Sequence, residues 1–175
     1  MEPDEELIGI LVAVPEPWMS ELSDLRASVG DKHAEKTPAH ITLMPPTAVK
    51  IADREKIMEE LQAIAAHNLP FTISLKGTGT FRPVSPVVFI NVEKGQKELI
   101  SLAKEMRSGI LAREQRFPYH PHVTIAQVDS DEQLDRAQAI GKDFEATWTA
   151  PGFRLDSVSA DGSYHSRAIF SFTAG

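Results

Sequence analysis

The sequence predicts an α+β fold of two pseudo-symmetric lobes, and two observations carry that prediction. Short apolar, β-branched runs alternate with segments of helical periodicity, and several strands follow one another as hairpins rather than as regular βαβ units. The order strand, helix, strand, strand occurs twice along the chain with nearly equal spacing. Two copies are too few for a solenoid, so we expect two lobes related by a pseudo-twofold axis across a central cleft.

The first half of the chain predicts four strands and two helices. β-Branched runs indicate the strands, apolar residues three or four positions apart indicate the helices, and prolines mark the ends of both. In order, these are a strand over residues 7–14, a helix over 17–28, a strand over 39–44 that stops at Pro45 and Pro46, a helix from Asp53 that ends before Pro70, and strands over 71–75 and 86–92.

The second half predicts two helices and three strands by the same criteria. Two prolines, Pro118 and Pro121, bracket a tight entry into its first strand. In order, these elements are a helix over residues 99–111, a strand over 122–128, a helix over 131–142 and strands over 153–159 and 167–172.

The composition is that of one soluble globular domain with enough apolar residues for a core. The chain has 175 residues, of which 42% are hydrophobic and 25% charged. It has no cysteine, which excludes disulfides, a thiolate nucleophile, iron–sulfur clusters and cysteine-type zinc sites. It has six histidines, so histidine is the natural carrier of side-chain chemistry near neutral pH.

The net charge of −7 argues against binding of long nucleic acid, because phosphate contacts dominate such binding and require a basic surface. A small nucleotide or one RNA end needs only local positive charge. The first six residues, MEPDEE, are acidic and unlike a signal peptide, and no apolar run approaches the ~20 residues of a membrane span. We expect a cytoplasmic monomer that binds no membrane.

The internal repeat is marked by two similar tetrapeptides. His40-Ile41-Thr42-Leu43 recurs 82 residues later as His122-Val123-Thr124-Ile125, and each copy is followed by a helix that begins at an acidic residue. After each helix comes a hairpin, so residues 73–75 are matched with 153–155, and residues 87–89 with 167–169. The repeat therefore predicts that each lobe presents one H-x-T strand to the cleft.

Each H-x-T strand is expected to present one imidazole and one hydroxyl on the same face. Residues i and i+2 of a strand share a face, so His40 lies beside Thr42, and His122 beside Thr124. Across a cleft, one neutral imidazole can take a proton from water while the other, as imidazolium, protonates a departing oxygen. The two hydroxyls can hold the non-bridging oxygens of a phosphate, and this chemistry requires no metal or other cofactor.

With these two motifs the sequence resembles the 2H phosphoesterase superfamily, which includes the 2′-5′ RNA ligase-like proteins and 2′,3′-cyclic nucleotide phosphodiesterases. The matching segments are PAHITL at residues 38–43 and YHPHVTI at residues 119–125. Gly79-Thr80-Phe81, before the next strand, is also similar to a glycine–phenylalanine hairpin of that family. The likeness extends over about residues 7–172, and the motifs are specific only as a pair.

The resemblance implies two antiparallel sheets with outer helices and an active-site groove between them. It implies that His40 and His122 are the acid/base pair and that Thr42 and Thr124 bind phosphate. The acidic charge of the chain favours phosphodiester hydrolysis over RNA ligation.

Four further residues are candidates to line the substrate groove. Phe81 and Tyr119 could stack on a nucleobase, and Arg167 could bind a phosphate. His120 lies two residues before His122, and with His40 the three could form a His₃ metal site, although no carboxylate has obvious ligand spacing. Each of the four can equally be a packing or surface residue.

Arg82 is a weaker candidate of the same kind as Arg167. The residues not assigned to the site are expected in loops, at a helix end or on a solvated surface, and they are His33, His67, His165, Arg107, Arg113 and Arg116.

The sequence therefore predicts a metal-independent phosphodiesterase that acts on a small cyclic phosphodiester or on a 2′,3′-cyclic phosphate RNA end. Two alternatives from other classes stay open, a non-catalytic nucleotide or RNA-end binding protein and a metal-dependent hydrolase that uses the three histidines. Ligation of 2′-5′ RNA ends is a further alternative within the same family.

Overall fold

The computed structural model describes residues 1–115 and 117–174, so Arg116 and Gly175 lie outside the described residues. Within that part of the chain there are eight strands, four α-helices and two short 3₁₀ helices at Lys32–Ala34 and Ile51–Asp53. The strands and α-helices are, in order, β1 (Glu5–Ala13), α1 (Trp18–Ser28), β2 (His40–Lys50), α2 (Arg54–Ala66), β3 (Phe71–Thr80), β4 (Val87–Lys94), α3 (Gln96–Met106), β5 (His122–Gln127), α4 (Asp131–Gly141), β6 (Glu145–Ala150), β7 (Gly152–Val158) and β8 (Tyr164–Ser171).

The strands form one eight-stranded sheet in the order β6-β3-β4-β5-β2-β1-β7-β8, and every neighbouring pair is antiparallel. We call β2-β1-β7-β8 the first half and β6-β3-β4-β5 the second half. They meet where β2 pairs with β5 through Ile41 and Val123. Only Pro151 separates β6, at one edge of the sheet, from β7, next to the other edge. The sheet must therefore curl so that its two edges approach each other.

The convex face of the sheet carries the core. On β2 and β5 the alternate residues Ile41, Leu43, Val123 and Ile125 are fully buried. The helices contribute apolar side chains to the same core cluster, among them Leu61 of α2. Since strand side chains alternate, the histidines and threonines of the two motifs are left on the concave face.

The predicted α+β class is confirmed, but the repeat is built differently from the prediction. When the sheet order is mirrored about the β2–β5 pair, β1 corresponds to β4, β7 to β3 and β8 to β6. The predicted match of residues 87–89 with 167–169 is wrong, because β4 lies beside β5 whereas β8 is an edge strand. The repeat also includes β1 and α1, which precede β2 as β4 and α3 precede β5.

Two element boundaries and one strand differ from the predictions for local reasons. β2 continues through Pro45 and Pro46 because, beyond Ile41, it is paired on one side only, and its register with β1 shifts there. α3 ends at Met106, where the Ser108 hydroxyl donates a hydrogen bond to the Glu105 carbonyl. The sequence does not predict β6, a short edge strand of which half the residues are exposed.

No helix in the described part of the chain is both long enough and apolar enough to cross a membrane.

Candidate active site

The β2–β5 pair brings the two H-x-T motifs side by side. Ile41 and Val123 are partners in this antiparallel pair, so the next positions place His40 beside Thr124 and Thr42 beside His122. Residues opposite each other on neighbouring strands have Cβ atoms about 5 Å apart. All four side chains are half-buried, and they form a two-by-two arrangement on the concave face with the imidazoles on one diagonal.

Each imidazole is held by a main-chain carbonyl two residues earlier in the chain. His40 Nδ1 lies 2.7 Å from the Pro38 carbonyl oxygen, and His122 Nδ1 lies 2.6 Å from the His120 carbonyl oxygen. A carbonyl only accepts, so Nδ1 carries a hydrogen and donates it. The exchangeable proton of each ring is therefore left to Nε2.

Burial lowers the pKa of both imidazoles below the ordinary value for histidine. At His40 the Pro38 carbonyl and the Asp156 carboxylate oppose that effect, while Arg26 and Arg154 add to it. At His122 the carbonyl of His120 opposes burial, and the His120 ring adds to it. Both rings are therefore mainly neutral at pH 7 in the free protein.

An aromatic wall surrounds His122. The rings of Phe81 and Phe89 lie 5.0 and 5.1 Å from its imidazole, and they lie 4.5 Å from each other. The exposed His120 ring lies 5.2 Å from Phe89 and 5.7 Å from Phe81. The structure therefore brings the predicted residues Phe81 and His120 to the site. Asn91 of β4 is the partner of His122 in the ladder.

A polar cluster surrounds His40. Its ring lies 5.3 Å from that of Tyr164, which stands over Gly9 of β1. Below them, Arg154 donates through Nε and Nη2 to the carboxylate of Asp156, at 2.7 and 3.0 Å. Asp156 is 1% exposed, and burial together with the charge of Asp156 raises the pKa of Tyr164. The two halves of the site therefore differ in character, although the repeat makes them equivalent in backbone.

Tyr119 is brought to the site as a brace between two strands. Its hydroxyl donates to the carbonyl oxygen of Thr42 at 2.7 Å, and the guanidinium of Arg107 lies 5.8 Å from its ring centre. Burial raises the pKa of this hydroxyl, which stays protonated and keeps donating. Tyr119 thus fixes the chain entering β5 against β2.

Arg167 is not brought to the histidines. It faces the convex side, where it lies 3.6 Å from Glu6 and lines a small cavity with Arg54 and Ile57. The register between β7 and β8 shifts between Leu155 and Asp156, and this bulge turns Arg167 away from the groove.

The other histidines and arginines considered from the sequence make contacts away from the two motifs, and His165, expected in a loop, lies on β8. Their contacts are His33 with Asp31 at 2.8 Å, His67 with Glu105 at 2.9 Å, His165 with Ser159 at 3.1 Å, Arg82 with Asp131 and Asp135 at 3.3 and 3.0 Å, and Arg113 with the Ala48 carbonyl at 3.2 Å.

The geometry gives no support to the His₃ metal site. Over residues 1–115 and 117–174, no three histidine, aspartate or glutamate side chains are grouped so that they could hold a metal ion. The rings of His120 and His122 have centres 5.8 Å apart, and His122 Nδ1 is engaged with a carbonyl.

Sequence reasoning missed Arg154, Asp156, Tyr164 and Asn91. Strand pairing between distant parts of the chain brings these residues to the site. For example, Arg154 of β7 is the partner of Leu11 on β1, and Leu11 is in turn the partner of Thr42 on β2. The signal available in the sequence was the alternation Arg154-Leu155-Asp156, which puts two charges on one face of a strand.

Comparison with known proteins identifies one group. A family model described as the 2′-5′ RNA ligase superfamily matches residues 14–160. A relative from Bacillus cytotoxicus named as a phosphoesterase is 35% identical over 152 residues, which are 85% of this chain and 86% of the relative. Another relative named as a phosphoesterase, from Bacillus thuringiensis strain Al Hakam, is 34% identical over 135 residues, which are 77% of this chain and 76% of the relative.

Solved structures match the whole fold. The crystal structure of TT0787 of Thermus thermophilus gives a TM-score of 0.70 at 20% identity, with 96% of this chain and 98% of that chain covered. Escherichia coli LigT in complex with NADP⁺ gives a TM-score of 0.68 at 20% identity, with 97% and 99% covered. LigT has also been solved with 3′-AMP, and that structure gives a TM-score of 0.66 at 19% identity. At these identities the solved structures establish the fold alone.

Proposed function

Since the chain belongs to the 2′-5′ RNA ligase superfamily, a group of 2H phosphoesterases, we propose that it hydrolyses a small cyclic phosphodiester or a 2′,3′-cyclic phosphate at an RNA end. The observation that carries the proposal is the two-by-two arrangement of His40, Thr42, His122 and Thr124 on the concave face. Each imidazole in it has its Nδ1 engaged with a carbonyl and its Nε2 available.

The proposed reaction is an in-line displacement at phosphorus. The Nε2 atom of one neutral histidine takes a proton from water as the water oxygen bonds to phosphorus. The other histidine, protonated at Nε2, gives its proton to the ribose oxygen as the bond from that oxygen to phosphorus breaks. The hydroxyls of Thr42 and Thr124 donate to the non-bridging oxygens and stabilise the charge that develops there. The result is a phosphomonoester.

Two observations favour a small substrate, namely the net charge of the chain and the ligands with which the structurally similar LigT has been crystallised. The net charge is −7, which is unsuited to a long polyanion. LigT has been crystallised with 3′-AMP, with phosphate, with ATP and with NADP⁺. A terminal or free nucleotide is therefore the substrate class that we propose for this chain.

The test is hydrolysis of 2′,3′-cyclic mononucleotides in the presence of EDTA, with His40→Ala and His122→Ala as variants. General acid/base catalysis contributes about 10²–10⁴-fold, so each variant is expected to lose kcat by at least about 10²-fold. His165→Ala is the matched control, because His165 is an exposed histidine on β8 that contacts Ser159. Full activity in either active-site variant, or loss of wild-type activity in EDTA, would contradict the proposal.

A further inference from the structure

A row of small residues leads outward from His40 across the first half of the sheet. Ala13 of β1 is the partner of His40 in the ladder. The β1–β7 register, in which Leu11 is the partner of Arg154, places Gly152 next to Ala13, and Gly152 is in turn the partner of Ser171 on β8. Ala13, Gly152 and Ser171 thus form the floor of a depression that begins one strand away from His40 and extends to the edge of the sheet. We call this depression the slot.

The walls of the slot are larger and mostly apolar. One wall is formed by Arg154 of β7 and its partner Ile169 of β8, which lie next to the floor residues in the sheet. The opposite wall is formed by Pro15, Trp148 and Pro151. The slot has a volume of about 390 Å³, within the range of about 300–1,000 Å³ typical of small-molecule sites. Ile169 at its margin is 75% exposed, so its side chain is accessible to a ligand.

Arg154 supplies a fixed polar group at the side of the slot nearest the histidines. Its Nε and Nη2 atoms are engaged by Asp156, a carboxylate that is itself buried, so the guanidinium is held in one orientation. Arg154 lines the slot, and its Nη1 atom makes no hydrogen bond to the described residues. An apolar cavity with a few placed polar groups is typical of small-molecule sites, and a planar, partly polar ring suits such a lining.

The equivalent place in the second half is filled. There the partner of His122 is Asn91, whose side chain lies 3.7 Å from the position that a Cβ of Gly77 would occupy. Phe89 likewise covers Gly79. A ring can therefore enter beside His40 but finds a side chain in its way beside His122.

We propose that the slot binds the nucleobase of the substrate, so that the nucleotide lies with its base on the His40 side and its phosphate between the two histidines. This inference rests on the proposed function and adds to it a base subsite and an orientation. The base would pack between the Trp148 wall and Ile169, with an edge turned toward Arg154.

The two tryptophans of the chain make base binding measurable without turnover. Trp18 and Trp148 are its only tryptophans, and their rings lie 6.2 Å apart, with Trp148 in the slot wall. Titration with adenosine 3′-monophosphate is expected to change the tryptophan emission, whereas inorganic phosphate is not. An equal change with phosphate alone, or no change with the nucleotide, would overturn the proposal.

Two matched variants separate the slot from the rest of the site. Ser171→Phe fills the outer end of the slot, whereas Ser166→Phe makes the same change at another exposed serine of β8, opposite Asp156 and outside the slot. The readout is kcat/KM for 2′,3′-cyclic AMP divided by kcat/KM for glycerol 1,2-cyclic phosphate, which has no base. We expect this ratio to fall about tenfold in Ser171→Phe, a loss in the range of one base-stacking contact, and to stay unchanged in Ser166→Phe.

The failure of this inference is distinguishable from failure of the proposed function. One outcome is that the protein hydrolyses neither substrate, its tryptophan emission still responds to the nucleotide, and Ser171→Phe abolishes that response. This outcome would support the slot as a base site and contradict the proposed hydrolytic function. If both substrates are hydrolysed and Ser171→Phe changes neither the ratio nor the emission response, the slot is not the base subsite.

Discussion

At the scale of single residues, the two imidazoles are set up alike by their backbones and differently by their neighbours. Each donates through Nδ1 to a carbonyl two positions upstream, which makes its Nε2 the only nitrogen free to exchange a proton. His40 has a carboxylate, two arginines and Tyr164 around it, whereas His122 has two phenylalanines and a second histidine. The two rings therefore differ in their surroundings although their backbone contacts are the same.

The lowered pKa values of His40 and His122 predict an acidic pH optimum for kcat/KM. The base must be neutral and the acid protonated, so activity rises as pH climbs through the pKa of the base and falls as pH climbs through that of the acid. Both values lie below the ordinary histidine value of about 6.5, and the maximum should therefore lie below pH 6.5. The measurement is kcat/KM for 2′,3′-cyclic AMP from about pH 4.5 to 8.5. A maximum clearly above the ordinary histidine value of about 6.5 would contradict this assignment of the two groups.

At the scale of elements, the pairing of β2 with β5 is the feature that creates the site. Two contacts brace it from outside the pair, the hydrogen bond from Tyr119 to Thr42 and a buried aspartate, Asp31. Asp31 is 3% exposed, and it accepts from Arg26 at the end of α1 and from the backbone N–H of Gln127 at the end of β5, each at 2.7 Å. It thereby anchors the strand that carries the second motif to the chain that leads into the first.

Replacing this aspartate is expected to destabilise the protein strongly. In Asp31→Ala the side chain of Arg26, which is 6% exposed, loses its carboxylate and stays buried with an unpaired charge. Breaking one partner of such a buried pair costs about 3–5 kcal/mol of unfolding free energy. Urea denaturation measures the loss, and Asp161→Ala is the control, because Asp161 pairs with Lys36 at an exposed site. A loss below about 1 kcal/mol, the size expected for a surface pair, would show that Asp31 does not anchor the two motifs.

Much of this element-level picture was predictable from the sequence, but not the pairing order. The H-x-T repeat predicts two strands with the same face composition, because alternation within a strand is a local property. In the sheet, β3 follows the first motif along the chain but belongs to the half that contains the second motif, where it pairs with β4. This arrangement depends on contacts between residues far apart in sequence. The sequence indicates Arg167 of β8 as a candidate arginine of the groove, whereas the structure places Arg154 of β7 there. The difference again depends on strand pairing between distant residues.

At the scale of the whole molecule, one curled sheet gives the site both its symmetry and its asymmetry. The mirrored strand order places two equivalent motifs at the middle of the sheet, and the curl makes the concave face a groove. The residues next to the two motifs differ between the halves of the sheet. In the first half Ala13 and Gly152 form the floor of the slot, whereas in the second half the side chains of Asn91 and Phe89 fill the equivalent place. A symmetric backbone therefore carries an unsymmetric groove, which is the basis for the proposed orientation of the substrate.

The central claim is that the two imidazoles act on one phosphate, and a crystal structure of the protein with inorganic phosphate tests it most directly. The account predicts a phosphate within hydrogen-bond distance of Nε2 of both His40 and His122, with the hydroxyls of Thr42 and Thr124 on its oxygens. A phosphate that binds at another place, with the two Nε2 atoms too far apart to reach one anion, would contradict it.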